Sequence, residues 1–154
     1  MDFGEWEKKV PEKIRNDALW TVKSYKLGLF LADLAWLDCT KLMSDRRTIG
    51  ISDQLFRSVG SISSNIAEGY SRGSGKDRAR FYEYALGSAR ESRDWYFKSR
   101  HVLGDEVVNH RISLTTEITR LLLTTVPQQR GYSVKEADEE YASPQSIMNN
   151  IPLP

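Results

Sequence analysis

One stretch of the sequence carries the side chains best suited to bind a polyanion. Three arginines and a phenylalanine recur there at intervals of three and four residues, which places them on one face of a helix. Guanidinium groups pair with phosphate oxygens, and an exposed aromatic ring offers a stacking surface to a base. The pattern predicts contact with a nucleic acid. We call this set the arginine stripe: Leu86, Arg90, Arg93, Phe97 and Arg100.

Two other interpretations of the arginine stripe stay open at this point. Arg90 and Asp94 are four residues apart, so they could form an ordinary surface ion pair on a solvated helix face. Phe97 could instead belong to a contact between subunits. Charged helix faces are common in soluble proteins, and many of them have no partner.

A second basic group surrounds the segment SRGSGKDRAR at residues 71–80, and we call it the basic turn. Its glycines and serines free backbone N–H groups at a helix start, which favours anion binding, although the same residues also make a good turn and N-cap. Residues 46–100 carry 11 Lys or Arg and six Asp or Glu, so this part of the chain is basic. The basic members of the turn are Arg72, Lys76, Arg78 and Arg80.

No other group of residues has the spacing of an active site or a metal site. The sequence lacks a glycine-rich phosphate loop and a nucleophile elbow. Its two histidines, His101 and His110, are separated by an expected turn at Gly104, so they do not share a helical face as paired ligands do. Cys39 falls on an apolar seam and is expected to fill the core. We expect no enzymatic activity, no metal and no cofactor.

The positions of glycine and proline divide the chain into four helical segments, 16–43, 52–72, 76–103 and 105–126. The short connections between them favour antiparallel neighbours. The predicted fold is therefore an all-α, antiparallel, up-down four-helix bundle. It has an N-terminal extension at 1–15, the bundle at 16–126, and a flexible, disordered acidic tail at 127–154.

The first predicted helix has two apolar faces. One is a seam with alternating spacings of three and four, which we assign to the core: Val22, Tyr25, Leu29, Ala32, Trp36, Cys39 and Met43. A second stripe is more than a lone bundle needs, and it predicts a homo-oligomer contact. That stripe consists of Leu27, Phe30, Leu34 and Leu37.

The other helices have clearer boundaries. Ser52 is the expected N-cap of the second helix, and Pro127 is the expected stop of the fourth. Asn65 is expected to bridge neighbouring helices, and Glu68 to pair with a basic residue of the third helix. These two polar residues are assigned to the structure.

The tail loses helical periodicity, and its composition is typical of an unstructured end. From residue 135 onward it has four acids and one base. Its last stretch, SIMNNIPLP, could nevertheless dock as an apolar peptide on a partner protein. The residues that would make that contact are Ile147, Met148, Ile151 and Leu153.

Composition limits the class of protein. The chain has 154 residues with 40% hydrophobic and 28% charged residues, which suits one domain with its own core. It has no apolar run long enough for a membrane span and no secretion signal at its charged N-terminus. A single cysteine fits a reducing compartment, so the expected location is the cytoplasm.

The sequence resembles a known family in its central part. SISSNIAEG at 61–69, the basic turn, an aromatic at Phe81 and ALGSARE at 85–91 follow the pattern of bacterial four-helix bundle proteins. These are the 23S rRNA intervening-sequence or S23-type proteins, a family that includes the accessory variability determinant of diversity-generating retroelements. The resemblance covers about residues 18–126.

The resemblance implies a ring-like homo-oligomer, a pentamer in the retroelement accessory proteins, whose basic surfaces bind RNA or DNA. Those accessory proteins also hold a reverse transcriptase. The resemblance implies nucleic-acid contacts at Arg57, Arg72, Arg78, Arg90 and Arg93, and a structural role for SSNIAEG. The leading hypothesis is therefore a non-enzymatic accessory subunit beside a reverse transcriptase. The alternative is a scaffold whose ring and tail recruit a partner effector protein.

Overall fold

The structure, a computed structural model, describes residues 2–131 and 144–154. All regular secondary structure within these ranges is helical, so the predicted all-α class is confirmed. In chain order the helices are α1 (Phe3–Lys9), α2 (Glu12–Arg15), a 3₁₀-helix (Ala18–Thr21), α3 (Lys23–Leu42), α4 (Ile49–Tyr70), α5 (Gly75–Lys98), α6 (Arg100–Leu103), α7 (Asp105–Gln129) and α8 (Pro144–Met148).

The four long helices pack in sequence order, and α7 returns to α3. Near the end of α3, the Cys39 Sγ lies 3.5 Å from the carbonyl oxygen of Ser52, near the start of α4. Near the start of α3, Gly28 approaches Ser63, further along α4. The two helices therefore run in opposite directions. These contacts are compatible with the predicted up-and-down bundle.

Small polar residues line the contact between α4 and α5. The Ser92 hydroxyl lies 3.0 Å from that of Ser58, and the Ser88 hydroxyl lies 3.1 Å from that of Ser61. Small side chains allow the two helix backbones to approach closely. Asn65 does not bridge helices as expected, because its amide donates to the Ser61 carbonyl and hydroxyl oxygens, at 2.8 and 2.9 Å, within α4.

Several helix boundaries differ from the sequence prediction. Helix α4 begins at Ile49, and the Ser52 N–H donates to the Thr48 carbonyl at 2.8 Å inside it, so Ser52 is not the N-cap. The predicted third helix is divided at Ser99 into α5 and α6. Helix α3 begins at Lys23 because the preceding residues form the 3₁₀-helix, where the Asp17 carboxylate accepts from the Leu19 N–H at 2.8 Å. Helix α7 continues through Pro127 to Gln129. A proline in the last turn removes only one hydrogen bond, so it does not force the helix to stop there. Of the predicted disordered tail, residues 132–143 lie outside the described residues.

The assignment of the two faces of α3 is corrected by the structure. Leu27, Phe30 and Leu34, predicted as a subunit contact, are fully buried in the chain's own core, and only Leu37 is partly exposed. Trp36 and Met43, predicted as core, are 64% and 65% exposed.

The physical reason for this correction lies in the N-terminal segment. The rings of Phe3 and Trp6 pack on Phe30 with centroids 5.1 and 5.0 Å apart, and the Trp6 indole N–H donates to Asp33 Oδ2 at 2.5 Å. Helix α1 is started by a reciprocal hydrogen-bond pair between Asp2 and Glu5. Helix α1 therefore covers Phe30, while Leu27 and Leu34 are buried on the side of α3 that carries the fully buried Asp38.

Gly69 sets the distance between the end of α4 and the start of α5. A Cβ at this position would lie 2.8 Å from Tyr82 Cε1 and 3.0 Å from Phe81 Cβ. We expect Gly69→Ala to lower the free energy of unfolding by about 1–3 kcal/mol through overpacking. The control is Gly87→Ala, where no atom lies within 4 Å. It should raise stability by about 0.5–1 kcal/mol, because alanine favours the helix. Urea unfolding measures both, and equal effects would contradict the close approach.

Candidate nucleic-acid interface

The arginine stripe lies on the side of α5 that faces α7. The Arg93 Nη1 group donates to the Thr116 hydroxyl of α7 at 3.4 Å, which fixes this orientation. Phe97 is 54% exposed, and the Arg100 guanidinium carbon lies 4.2 Å from its ring centroid. Arg100 also donates to the Phe97 carbonyl at 3.0 Å. An arginine and an aromatic ring are thus held together at the surface, as the sequence predicted for this stripe.

Arg90 is available for a contact outside the chain. Its expected partner Asp94 pairs instead with Lys98, at 2.5 Å. Arg90 is exposed and forms no ion pair within the part of the chain that the structure describes. Leu86, the apolar member of the stripe, packs against the core. The stripe therefore offers two cations and one ring to solvent, with Arg93 at its edge.

The basic turn is organised partly by its own arginines. The guanidinium of Arg72 lies 4.6 Å from the Phe81 ring centroid and pairs with Glu68. Glu68 therefore binds the turn and not the third helix. Arg78 donates to Gln129 Oε1 at 2.7 Å and to the Arg72 carbonyl at 3.1 Å. Arg78 thus holds the turn against the end of α7, so its role is structural.

The remaining predicted contacts lie at the start of α5 and on α4. Lys76 and Arg80 are exposed at the start of α5, where Arg80 lies 3.8 Å from Asp77. Arg57 lies 3.6 Å from Asp53 on α4, and its side chain is 72% exposed. Helix α5 packs between α4 and α7, so it separates Arg57 from the stripe.

A buried ionic cluster that the sequence analysis missed joins three of the long helices. Arg111 of α7 donates to both carboxylate oxygens of Asp38 on α3, at 2.8 and 3.0 Å, and both side chains are fully buried. The Tyr96 hydroxyl of α5 donates to the same carboxylate at 3.0 Å. Burial, and then the Asp38 charge, raise the pKa of Tyr96 well above its usual value.

The C-terminal residues dock beside this cluster. The Nε2–H of His110 donates to the Ile147 carbonyl at 2.7 Å, and Arg111 Nη2 donates to the Pro152 carbonyl at 3.0 Å. Arg111 Nη1 donates to His110 Nδ1 at 2.8 Å. These contacts require a neutral His110 with its proton on Nε2. Residues 144–154 are called the C-terminal segment below.

The structure gives the predicted tail residues different positions. Ile147 is 6% exposed and belongs to the core, and Met148 and Ile151 pack against it. These three are therefore not free to bind a partner while the segment is docked. Leu153 is 61% exposed. After α8 the chain bends at Asn150, whose φ of 50° is one that asparagine tolerates.

Docking of the C-terminal segment should depend on pH through His110. Burial lowers the pKa of His110 below 6.5; Arg111 also lowers it, while the Ile147 carbonyl and Asp38 oppose the shift. Burial is the largest of these causes, and we expect water to reach His110 when the segment leaves, so the docked state should bind fewer protons than the free state. Docking should then be stable above about pH 6.5 and weaken as pH falls. We expect the amide NMR signals of Ile147 and Ile151 to move toward random-coil positions between about pH 7 and about pH 5.

The matched control for this pH dependence is His110→Gln, which keeps a donor but cannot titrate. Its segment should stay docked across the same pH range. An identical response of the two proteins would show that another group controls docking.

The described residues give no sign of a metal or a reactive thiol. They contain no group of three or more His, Cys, Asp or Glu that could hold a metal ion. Cys39 is buried, and that burial raises the pKa of its thiol. None of the described helices has both the length and the apolar character needed to cross a membrane.

Comparison with known proteins supports the assignment of the fold. The family model described as 23S rRNA-intervening sequence protein matches residues 21–124. A crystal structure of a protein of unknown function, from the S23 ribosomal protein family of Bacteroides thetaiotaomicron VPI-5482, superimposes with a TM-score of 0.63. It is 24% identical, and the match covers 67% of this chain and 97% of that one. No curated protein matches this sequence.

These features define the class as a small all-helical protein with long, closely packed helices and a basic, aromatic surface beside α7. The family match spans most of the chain, from α3 nearly to the end of α7. The chain belongs to the 23S rRNA intervening-sequence protein family. The resemblance inferred from SISSNIAEG, the basic turn and ALGSARE is thereby confirmed.

Proposed function

We propose that this protein is a non-enzymatic, nucleic-acid-binding accessory subunit built as an antiparallel up-down four-helix bundle. The observation that carries the proposal is the exposed Phe97 ring near the end of α5, which packs against the half-buried Arg100 guanidinium at the start of α6, with the exposed Arg90 on the same side of α5. Arginines bind phosphate oxygens and the ring stacks on a base, which is how single-stranded or looped nucleic acids are held. We further propose a reverse transcriptase of a diversity-generating retroelement as the partner.

Self-association belongs to the same proposal, although at a different surface from the one expected. Trp36 and Phe56 form a T-shaped ring pair, with centroids 6.0 Å apart, on the outer side of α3 and α4. They are 64% and 46% exposed, and Met43 and Ile49, also exposed, come from the adjoining ends of the same helices. Exposed apolar patches of this kind favour contact with another protein surface. We propose that copies of the chain associate through it, as in a ring.

The same apolar patch favours the second candidate, a scaffold that recruits a partner effector protein. In that case Trp36 and Phe56 bind the partner, and the arginine stripe is a docking surface. Salt separates the two functions, because phosphate contacts release counterions and apolar contacts do not.

The test is fluorescence anisotropy with a structured RNA and a DNA duplex across a salt series. Three phosphate contacts predict a slope of about −2.7 in log affinity against log salt for the duplex, so affinity should fall roughly 40-fold between about 50 and about 200 mM. Weak salt dependence, or no saturable binding at the lowest salt, would favour the scaffold.

A further inference from the structure

The groove that holds the C-terminal segment has the features of a peptide-binding site. Two of its polar contacts go to main-chain carbonyls, those of Ile147 and Pro152, at 2.7 and 3.0 Å. Its apolar contacts bury Ile147 and partly cover Ile151. Recognition through main-chain groups and spaced apolar side chains is how proteins bind extended peptides.

The groove is organised by contacts that do not involve the segment. Asp38 holds the Arg111 guanidinium at two oxygens, Tyr96 donates to Asp38, and His110 Nδ1 accepts from Arg111. Only one hydrogen bond of Arg111, that to Pro152, depends on the segment. The donors therefore stay in position when the segment leaves, and a preorganised site costs less to refill.

The segment is joined to the bundle by a long connection. Helix α7 ends at Gln129, 18 residues beyond Arg111, which is about 27 Å along the helix at about 1.5 Å per residue. Between Gly131 and Pro144 the chain has the twelve residues 132–143, which can span about 40 Å when extended. That length exceeds the distance back along α7 to the groove of the same chain, so the connection does not confine the segment to that groove.

We propose that the groove beside Asp38 and Arg111 exchanges its occupant between copies, so that the C-terminal segment of one chain docks in the groove of a second copy. Every hydrogen bond and apolar contact formed within one chain is reproduced between two chains. The docking free energy is therefore the same within one chain and between two chains. Which form dominates depends on the concentration of the second copy compared with the effective concentration that the tether gives to the chain's own segment. The exchange does not depend on nucleic-acid binding, so either proposal can fail alone.

The first experiment asks whether the groove accepts the segment as a separate molecule. The full chain with Ile147→Asp and Ile151→Asp keeps the groove and loses its own ligand. A fluorescent synthetic peptide of residues 144–154 should bind this variant at least about 10-fold more tightly than it binds the wild-type chain, where the tethered segment competes. The same peptide carrying Ile147→Asp should not bind.

The second experiment asks whether a second copy is the occupant. His110→Glu in the full chain places a carboxylate against the Ile147 carbonyl, so the hydrogen bond is lost and the two oxygens repel each other. Arg111 can still pair with the new carboxylate. This variant therefore has an intact segment and a defective groove. Sedimentation is compared for the groove-defective variant, the segment-defective variant and their mixture. We expect the mixture alone to show additional association, and an excess of the peptide should remove it. Self-association through any other surface would appear equally in all three samples and can be subtracted.

Two results would overturn the proposal. One is a segment-defective chain that melts cooperatively yet shows no saturable peptide binding; Ile151→Asp alone repeats this test if the double variant does not fold. The other is peptide binding without added association in the mixture, which would mean that the groove holds only the C-terminal segment of its own chain.

Discussion

Arg111→Met should lower the free energy of unfolding by about 3–5 kcal/mol, because it leaves the Asp38 carboxylate buried without a counter-charge. The two side chains are fully buried and joined by two hydrogen bonds, so water cannot replace the lost partner. Urea unfolding followed by circular dichroism measures the change. The matched control is Arg57→Met, which removes an exposed pair with Asp53 and should cost less than about 1 kcal/mol.

A double variant separates the ion pair from packing. Asp38→Leu together with Arg111→Met removes both charges, so it should be more stable than Arg111→Met alone. A loss of less than about 1 kcal/mol in the single variant would mean that the pair is not needed to hold α3 and α7 together.

Changing Arg90, Arg93 and Arg100 together to Glu should reduce nucleic-acid affinity by about 100-fold or more. The change removes the cations of the arginine stripe and adds repulsion of phosphates at the same surface. The slope of log affinity against log salt should also become less steep, by about one unit for each lost contact. Anisotropy with the structured RNA and the duplex measures both quantities.

The control for this reversal carries the same change in net charge at another surface. Lys8, Lys9 and Lys13 are exposed on α1 and α2, and α1 packs on α3 at Phe30, away from the stripe on α5. Changing these three to Glu should lower affinity only slightly, through the overall charge. Equal losses in the two triple variants would place the contact elsewhere or make it nonspecific.

The sequence was most informative where one helix face alone is apolar. On α4 the apolar residues Val59, Ile62 and Ile66 recur at intervals of three and four, which predicts that they face the core, and all three are buried. Helix α3 is apolar on two sides, and periodicity cannot show which side faces the core. Phe30, for example, is covered by Phe3 and Trp6, which lie more than twenty residues away in sequence.

The ionic cluster could not be predicted from local patterns. Asp38 and Arg111 are 73 positions apart, and nothing in the residues around either one identifies the other as its partner. A usable signal existed in the charge itself, since Asp38 interrupts an otherwise apolar stretch of α3 and Arg111 lies next to the inward-facing Ile112. The docked C-terminal segment was missed for a related reason: its hydrogen bonds come from backbone carbonyls, which every residue has.

The covering of α3 by the N-terminal helix limits how far the protein can be shortened. The region shared with the family begins at residue 21, beyond Phe3, Trp6 and their contacts with Phe30. A chain trimmed to that region would expose the Phe30 ring to water, with a cost of about 25 cal/mol for each Å² of apolar surface uncovered. Such a fragment should adhere to surfaces and to itself. Its clumping would then be mistaken for native assembly in a solubility or light-scattering assay.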